Sequence, residues 1–192
     1  CEALEQMAGV DVPLRAAALR TLGLELERLY NHVGDVGNIC AGAAFHLGNA
    51  HGLILRDRLQ RLNEEVSGSR FLRGFTVPGG VRLDLTPALA ARILEVLESV
   101  AGEMEELAAG LERSPSLLDR LDGTGVLPRA VALDLAAAGV AARASGVDRD
   151  ARRDHPHALF RAKAGQRPEL EVPLESAGDV HARLLQRLAE AR

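Results

Sequence analysis

Four titratable side chains recur at intervals of three and four residues within one apolar stretch: Glu25, Arg28, His32 and Asp35. An α-helix turns by about 100° per residue, so this spacing places all four in a single stripe beside the apolar face. If it is exposed to water, such a stripe is an ordinary row of ion pairs on the surface of a helix. Covered by another element, the same groups would form a hydrogen-bonded network whose protonation states are coupled. The spacing alone favours the exposed edge and leaves the buried network as the alternative.

The helix that carries the stripe is predicted from its apolar residues. Leucine, valine and cysteine side chains recur from Leu19 to Cys40 with alternating spacings of three and four, which is typical of a helix packed in a bundle. Gly23 and Gly34 lie on the face opposite the stripe. Because each glycine costs a helix interior about 1 kcal/mol relative to alanine, we expect another element to approach that face closely.

The remaining pattern predicts a mostly α protein, a bundle of three to four long helices with short irregular or extended segments. A first short helix is predicted to end at Gly9, and the stripe helix to begin after Asp11 and to continue to about Asn49. Further helices are predicted at residues 53–68, 86–113, 115–121, 127–139 and 176–192. The predicted N-caps are Asp11, Thr86 and either Ser176 or Asp179.

Two irregular inserts interrupt this helical pattern. Residues from about 70 to 85 alternate in character around a Pro-Gly-Gly turn, which predicts an extended loop or small hairpin. The turn is either a tight structural turn or, together with Arg82, a place where an anion binds. Residues from about 142 to 174 are irregular and rich in charge. Neither insert is a low-complexity linker, so we expect residues 1–192 to form a single helical domain.

The composition excludes several classes of protein. It is 47% apolar and 26% charged, as expected for a folded globular chain, and the formal net charge is −4. An acidic chain without a basic block is not expected to bind nucleic acid. No stretch reaches the roughly 20 apolar residues of a membrane span, so we expect no transmembrane segment. Its two cysteines do not suggest a disulfide framework, which predicts a reducing, intracellular compartment.

Other candidate ligands do not form a site of their own. Cys40 and His51 would lie about 16 Å apart along a continuous helix, so they cannot share a metal ion with His46. His155 and His157 flank a proline in a segment that reads as a surface loop. The glycines before the helix predicted at residues 127–139 lack the spacing of a dinucleotide- or phosphate-binding loop. We therefore predict no metal site and no self-contained catalytic site.

Three motif blocks, taken in order, carry a resemblance to a known family. They are Glu25-Leu26-Glu27-Arg28 with His32, Pro78-Gly79-Gly80-Val81, and Arg143-Ala144-Ser145-Gly146 with Asp148, Arg152 and Pro156. The chain resembles the large subunit of [NiFe]-hydrogenases and the 49-kDa subunit of respiratory complex I over nearly its whole length. It looks most similar to the large subunit of membrane-bound, energy-converting hydrogenases of the formate hydrogenlyase type.

The resemblance implies a central fragment of a longer subunit. In that family a nickel–iron centre is held by two CxxC pairs near the two ends of the subunit, and this chain contains neither pair. Cys1 and Cys40 do not match those ligands, so the resemblance implies no metal ligand and no cofactor within the fragment. We expect the fragment alone to be inactive.

Three functions are compatible with the resemblance. A hydrogenase parent would interconvert H2 and protons at a Ni–Fe centre and exchange electrons with an iron–sulfur cluster in a small partner subunit. The stretch RLYNHVGDVGNICAGAAFHLG resembles the hydrogenase side of the family. A complex I parent would instead reduce quinone within an NADH dehydrogenase-like complex. The third alternative is a non-catalytic module that docks a partner subunit.

The resemblance also suggests roles for the stripe. Protons must pass between a buried reaction centre and solvent, so Glu25, Arg28, His32 and Asp35 become candidate relay or supporting groups. Arg82 and Asp84 are further candidates. The same resemblance favours burial of the stripe. It implies as partners the iron–sulfur small subunit and other subunits of a membrane-bound complex. These would hold the chain on the cytoplasmic face of the inner membrane.

Overall fold

The computed structural model describes residues 1–163 and 165–192, and within these residues the protein is mostly α-helical, which confirms the predicted fold class. The elements are α1 (Glu2–Ala8), α2 (Leu14–Gly42), α3 (His46–Ser67), β1 (Thr76–Val77), β2 (Gly80–Val81), α4 (Pro87–Glu112), α5 (Pro115–Leu121), α6 (Arg129–Asp134), α7 (Gly139–Ala144), α8 (Ala151–Asp154) and α9 (Val180–Glu190), with a turn of 3-10 helix at Ala158–Arg161. The long helices α2, α3 and α4, together with α9, form the bundle. β1 and β2 pair antiparallel as the predicted small hairpin.

Helices α2 and α3 cross at two glycines, which let the backbones approach directly. A Cβ on Gly52 would lie 2.8 Å from Gly37 Cα, closer than two such atoms can approach. Along the same helix, a Cβ on Gly34 would lie 2.7 Å from Arg56 Cδ of α3, and one on Gly23 would lie 3.0 Å from the Phe75 ring. The predicted close approach at Gly23 and Gly34 is therefore confirmed.

Two apolar clusters hold the long helices together. The larger cluster joins α2 to α3, α4, α5 and α9 through leucine and valine side chains such as Val33, Val36, Leu55, Leu59, Leu107, Leu111, Leu117 and Leu184. The second cluster joins the first half of α2 to the end of α3, to α4 and to the hairpin through Leu26, Leu62, Val66, Phe75 and Ile93. Each fully buried side chain of this size contributes roughly 1.5–3 kcal/mol, so these clusters fix the bundle.

Residues 126–154, called here the α6–α8 segment, have a separate and smaller cluster. It consists of Ala132, Ala142 and Val147, with Leu127 and Ala137 packed against them. Small side chains bury little apolar area, so this segment depends more on polar contacts than the bundle does.

Within residues 1–163 and 165–192, no helix combines the length and the apolar character that crossing a membrane requires.

Several helix ends follow the predicted capping residues. α1 ends at Gly9 and α3 at Gly68, both with left-handed backbone (φ 64° and 77°) that glycine adopts without strain. Thr86 Oγ1 accepts a hydrogen bond from the Leu89 backbone N–H at the start of α4. Of the two alternatives for the last helix, Asp179 is the cap.

The predicted bounds of α2 were wrong at both ends. Pro13, in extended conformation, is the N-cap in place of Asp11. α2 ends at Gly42 and does not reach Asn49, because Ala44 takes a left-handed conformation (φ 57°) that reverses the chain. α3 then begins at His46, earlier than predicted, and packs back along α2.

The helix predicted at residues 127–139 is divided. α6 ends at Asp134, Ala136 adopts φ 51°, and Gly139 begins α7 where we expected it to end a helix. In its described residues, 142–163 and 165–174, the predicted insert is irregular for much of its length but contains the end of α7, all of α8 and the 3-10 turn. Tertiary contacts order these short helices: α7 packs on α9, the 3-10 turn packs on α2, and α8 pairs with α2 through Arg152 and Glu25. A local pattern does not contain that information.

Replacing Gly52 by alanine should destabilise the chain by about 1–3 kcal/mol, because the helices must separate to admit the new Cβ. Gly102→Ala in α4 is the matched control. A Cβ there meets nothing within 4 Å, so the higher helix propensity of alanine should stabilise the chain by up to about 1 kcal/mol. Both free energies can be read from urea denaturation followed by circular dichroism. Equal effects of the two substitutions would contradict the backbone contact at this crossing.

Candidate functional site

The stripe on α2 is covered by α9 and by the segment that follows α7. The exposed fraction of the side chain is 9% for His32, 29% for Glu25 and 28% for Arg28, and it rises to 46% for Asp35. The expectation from spacing alone, a solvent-exposed edge, was therefore wrong for most of the stripe. The groups that cover it come from the other end of the chain.

Glu190, in the last turn of α9, is the centre of the covering network. Its side chain is 1% exposed, and Arg143 Nε and Nη2 donate to its two carboxylate oxygens at 2.6 and 2.9 Å. His32 Nε2 lies 3.0 Å from Oε2, and Gln186 Nε2 donates to Oε1 at 2.6 Å. One buried carboxylate thereby joins α2, α7 and α9.

A second branch of the network extends from α8 to the stripe. Arg152 donates from Nε and Nη2 to the two oxygens of Asp150, at 3.0 and 2.8 Å. Its Nη1 donates to Glu25 at 3.1 and 3.2 Å. Glu25 also accepts from Arg28 Nε at 2.8 Å, and Arg28 Nη1 donates to the Glu190 carbonyl oxygen at 2.7 Å. The two branches therefore meet at Arg28.

Mutual pairing keeps the buried groups ionised. Burial alone would raise the pKa of the Glu190 carboxyl, but its contacts with His32 and Arg143 outweigh it, so this pKa lies well below its usual range. The pKa of Asp150 is lowered in the same way, because its contacts with Arg152 outweigh its burial. A carboxylate whose pKa is held far below neutral pH is a fixed anion and does not exchange protons readily.

The other three predicted site residues lie outside this network. Asp35 accepts a hydrogen bond from Arg187 Nε of α9 at 3.0 Å. Arg82 donates to a backbone carbonyl at the end of α3. Asp84 forms an exposed ion pair with Arg15. The structure thus brings Glu25, Arg28 and His32 together and places the remaining candidates elsewhere.

Sequence reasoning missed four residues at the centre of the network: Arg143, Asp150, Arg152 and Glu190. Arg143 and Arg152 belong to the motif blocks that carry the family resemblance, and this was the signal that could have identified them. Asp150 lies between them in a charged irregular region, and Glu190 has no distinguishing local pattern. Their contacts with α2 are long-range and cannot be read from spacing.

A separate buried ion pair holds the β1–β2 hairpin. Arg20 of α2 donates to Glu5 of α1 and to the carbonyl oxygens of Val77 and Gly80, the latter two at 2.7 and 2.9 Å. The Arg20 guanidinium and the Gly79 N–H, which donates at 2.7 Å, lower the pKa of Glu5 to about 2. Because Glu5 already occupies that N–H group, the Pro-Gly-Gly turn is a structural turn.

The described cysteines do not have the character of metal ligands. Cys40 is fully buried against Phe45 and Gly48, and burial raises the pKa of its thiol to about 11. Cys1 is exposed and contacts the Thr76 carbonyl oxygen. Among residues 1–163 and 165–192, no group of three or more His, Cys, Asp and Glu side chains could hold a metal ion. These residues therefore do not fit the thiolate set of a nickel–iron centre.

Two grooves flank the Glu25–Arg152 pair. One, of about 620 Å³, lies between α2, α9 and residues 168–173, and Glu190 lines it. The other, of about 520 Å³, lies between α2 and the α6–α8 segment. Arg28 and Arg152 line both grooves, so this part of the network separates them.

Comparison with known proteins identifies the family. Residues 48–192 match the family described as respiratory-chain NADH dehydrogenase, 49 Kd subunit. The chain belongs to this family. The resemblance to the 49-kDa subunit of respiratory complex I is thereby confirmed at the level of the family.

Individual relatives match almost the whole chain. An NADH-quinone oxidoreductase subunit of Thermosipho melanesiensis is 33% identical over 98% of this chain and 50% of the relative. NADH-quinone oxidoreductase subunit 4 of Thermus thermophilus is 32% identical over 99% of this chain and 45% of the relative. A solved chain of the membrane-bound sulfane sulfur reductase, an archaeal respiratory membrane complex, superposes with a TM-score of 0.83 at 26% identity, covering 97% of this chain and 51% of that one. The chain spans about half the length of these relatives.

Glu190→Gln should lower the free energy of unfolding at neutral pH by up to about 3–5 kcal/mol, because it removes the nearer counter-ion of the buried Arg143 guanidinium and leaves only Asp150, at 3.7 Å. The folded-state pKa of Glu190 is depressed, so its stabilising contribution is present above the unfolded value of about 4.3 and is lost as the pH falls. Acidification should therefore destabilise the original protein more than the variant. Urea denaturation as a function of pH measures this, with exposed Glu98→Gln as control. Equal pH slopes for the original protein and Glu190→Gln would contradict the assignment.

Arg20→Ala should lower the midpoint of thermal unfolding far more than Arg15→Ala. The first substitution leaves Glu5 buried without its counter-ion and frees two hairpin carbonyl groups. The second breaks the Arg15–Asp84 pair, whose side chains are 66% and 63% exposed and well screened by water. Calorimetry on both variants measures the difference. Similar losses would show that the buried pair does not anchor the hairpin.

Proposed function

We propose that this chain is the helical domain of a subunit that takes part in quinone reduction by an NADH-quinone oxidoreductase-type membrane complex. The observation that carries the proposal is the match to NADH-quinone oxidoreductase subunits over 98–99% of the chain. In such a complex the partners are an iron–sulfur subunit and further membrane-bound subunits. The domain would associate with the cytoplasmic face of the membrane through them.

The geometry supports a framework role for the domain within the complex. The Glu190 network and the Glu5–Arg20 pair consist of ions with matched partners. The first joins α7 to α9, and the second fixes the hairpin to α1 and α2. Such networks position neighbouring groups without exchanging protons themselves. Glu25 differs, because its side chain is partly exposed and lines the groove of about 620 Å³. It is the stripe carboxylate that connects the network to this groove, and we assign the exchange of protons with the groove to it.

Hydrogenase chemistry is the second candidate. It is favoured by the resemblance of residues 28–48 to energy-converting hydrogenases of the formate hydrogenlyase type. That reaction needs a Ni–Fe centre with cysteine thiolates, which the described residues do not fit, so the ligands would come from elsewhere in the subunit. A docking module without catalytic residues is the third candidate.

Purification of the complex that contains this protein distinguishes the three candidates. We expect NADH-dependent reduction of a short-chain quinone, with no stoichiometric nickel by elemental analysis. Stoichiometric nickel together with H2-dependent dye reduction would overturn the proposal in favour of the hydrogenase. An assembled complex in which deletion of this domain leaves both activities unchanged would support the docking module.

Glu25→Gln tests the relay role in the same complex. If Glu25 carries protons, quinone turnover should fall by roughly 10²-fold while the complex still assembles. Glu27→Gln, on an exposed position of the same helix, is the matched control and should leave turnover unchanged. Unchanged turnover in Glu25→Gln with intact assembly would remove Glu25 from the relay.

A further inference from the structure

The α6–α8 segment is attached to the bundle on one side by a firm contact with α9. Helix α7 packs against α9, and Arg143 of α7 pairs with Glu190 through side chains that are 7% and 1% exposed. Next to this pair, the Gly178 N–H donates to the Ala144 carbonyl oxygen at 2.8 Å. Separating α7 from α9 would leave buried charges without counter-ions and would break backbone hydrogen bonds, so this contact stays closed.

On its other side the segment faces α2 across the groove of about 520 Å³. Leu24 and Asn31 line the α2 wall, and Gly139 and Ala151 line the wall of the segment. The Arg152–Glu25 ion pair spans the two walls. A charge contact therefore links α8 to α2 at a place where a cavity separates their backbones.

This ion pair can open without leaving an unpaired charge. When Arg152 and Glu25 separate, Arg152 keeps its two hydrogen bonds to Asp150 on the same segment. Glu25 keeps its hydrogen bond from Arg28 on the same helix. Each partner thus retains a counter-ion, and the 29% exposed Glu25 side chain is already in contact with water. The Arg152 side chain is 10% exposed, so the pair is partly buried. Because each ion keeps a second partner, we expect its loss to cost on the order of 1 kcal/mol, and salt weakens it at the exposed Glu25 carboxylate.

We propose that Arg152 and Glu25 form a releasable latch that closes the groove between α2 and the α6–α8 segment. The Arg143–Glu190 contact is the hinge about which α8 moves, and the 3-10 turn after α8 stays on α2, where the Leu159 N–H donates to Thr21 Oγ1 at 3.0 Å. A solute or partner that competes for the Glu25 carboxylate or the Arg152 guanidinium opens the groove, whereas the hinge and the bundle keep their structure. The latch acts independently of which reaction the complex performs.

Thiol alkylation of the groove wall tests the latch in the full chain. In a Cys1→Ser background, Leu24→Cys supplies the reporter, since Cys40 is buried and unreactive. Adding Glu25→Gln should raise the rate of reaction with a bulky maleimide about fivefold, the change expected when an ion pair worth about 1 kcal/mol is lost. Raising the salt concentration should increase the rate when Glu25 is present and should have little effect in Glu25→Gln.

Arg153→Ala is the matched control, because this neighbouring arginine pairs with Asp148 and Asp154 and does not line the groove. Its rate should equal that of the reporter background. Amide exchange at Gly178 should stay slow in every variant. Equal rates with and without Glu25→Gln would overturn the latch, and so would faster exchange at Gly178, which would indicate unfolding of the hinge. If Leu24→Cys does not fold, Asn31→Cys on the same wall replaces it as reporter.

Discussion

The contacts of the Glu190 carboxylate are the constraint on which the site depends. A buried anion requires matched partners: here Arg143 and Gln186 donate to Glu190, and His32 Nε2 of α2 lies 3.0 Å from it. Because an unmatched charge at this depth is costly, α2, α7 and α9 must meet in one arrangement. That arrangement in turn gives the charged residues after α7 a defined position against the stripe. The network therefore orders a part of the chain that has little apolar area of its own.

The local spacing of residue types in the sequence predicted much of the helical bundle. Apolar periodicity placed α2, α3 and α4, and the helix-interior glycines Gly23 and Gly34 correctly indicated close neighbours. The predictions of helix ends were wrong where tertiary contacts determine the backbone conformation. Ala44 and Ala136 take left-handed conformations that alanine does not favour, so nothing local marks the end of α2 or the break between α6 and α7. Packing of the following helix compensates for this strain.

The candidate site was predicted only in part, for a physical reason. Helical geometry fixes which side chains share a stripe, so Glu25, Arg28 and His32 were found together. What covers a stripe depends on contacts between distant parts of the chain, and Glu190 could not be located from its neighbours. The family match then identifies the type of subunit. The low pKa of Glu190 adds that this carboxylate stays ionised at neutral pH, which the sequence did not indicate.

The crossing of α2 and α3 has a mechanical consequence. The backbones of the two helices meet where Gly37 faces Gly52, and the next residues along either helix carry side chains. Sliding by one residue would bring Asn38 or Leu53 into a space that admits no Cβ. The close contact of Gly37 with Gly52 therefore fixes the register of the two helices, and neither can slide along the other without moving apart.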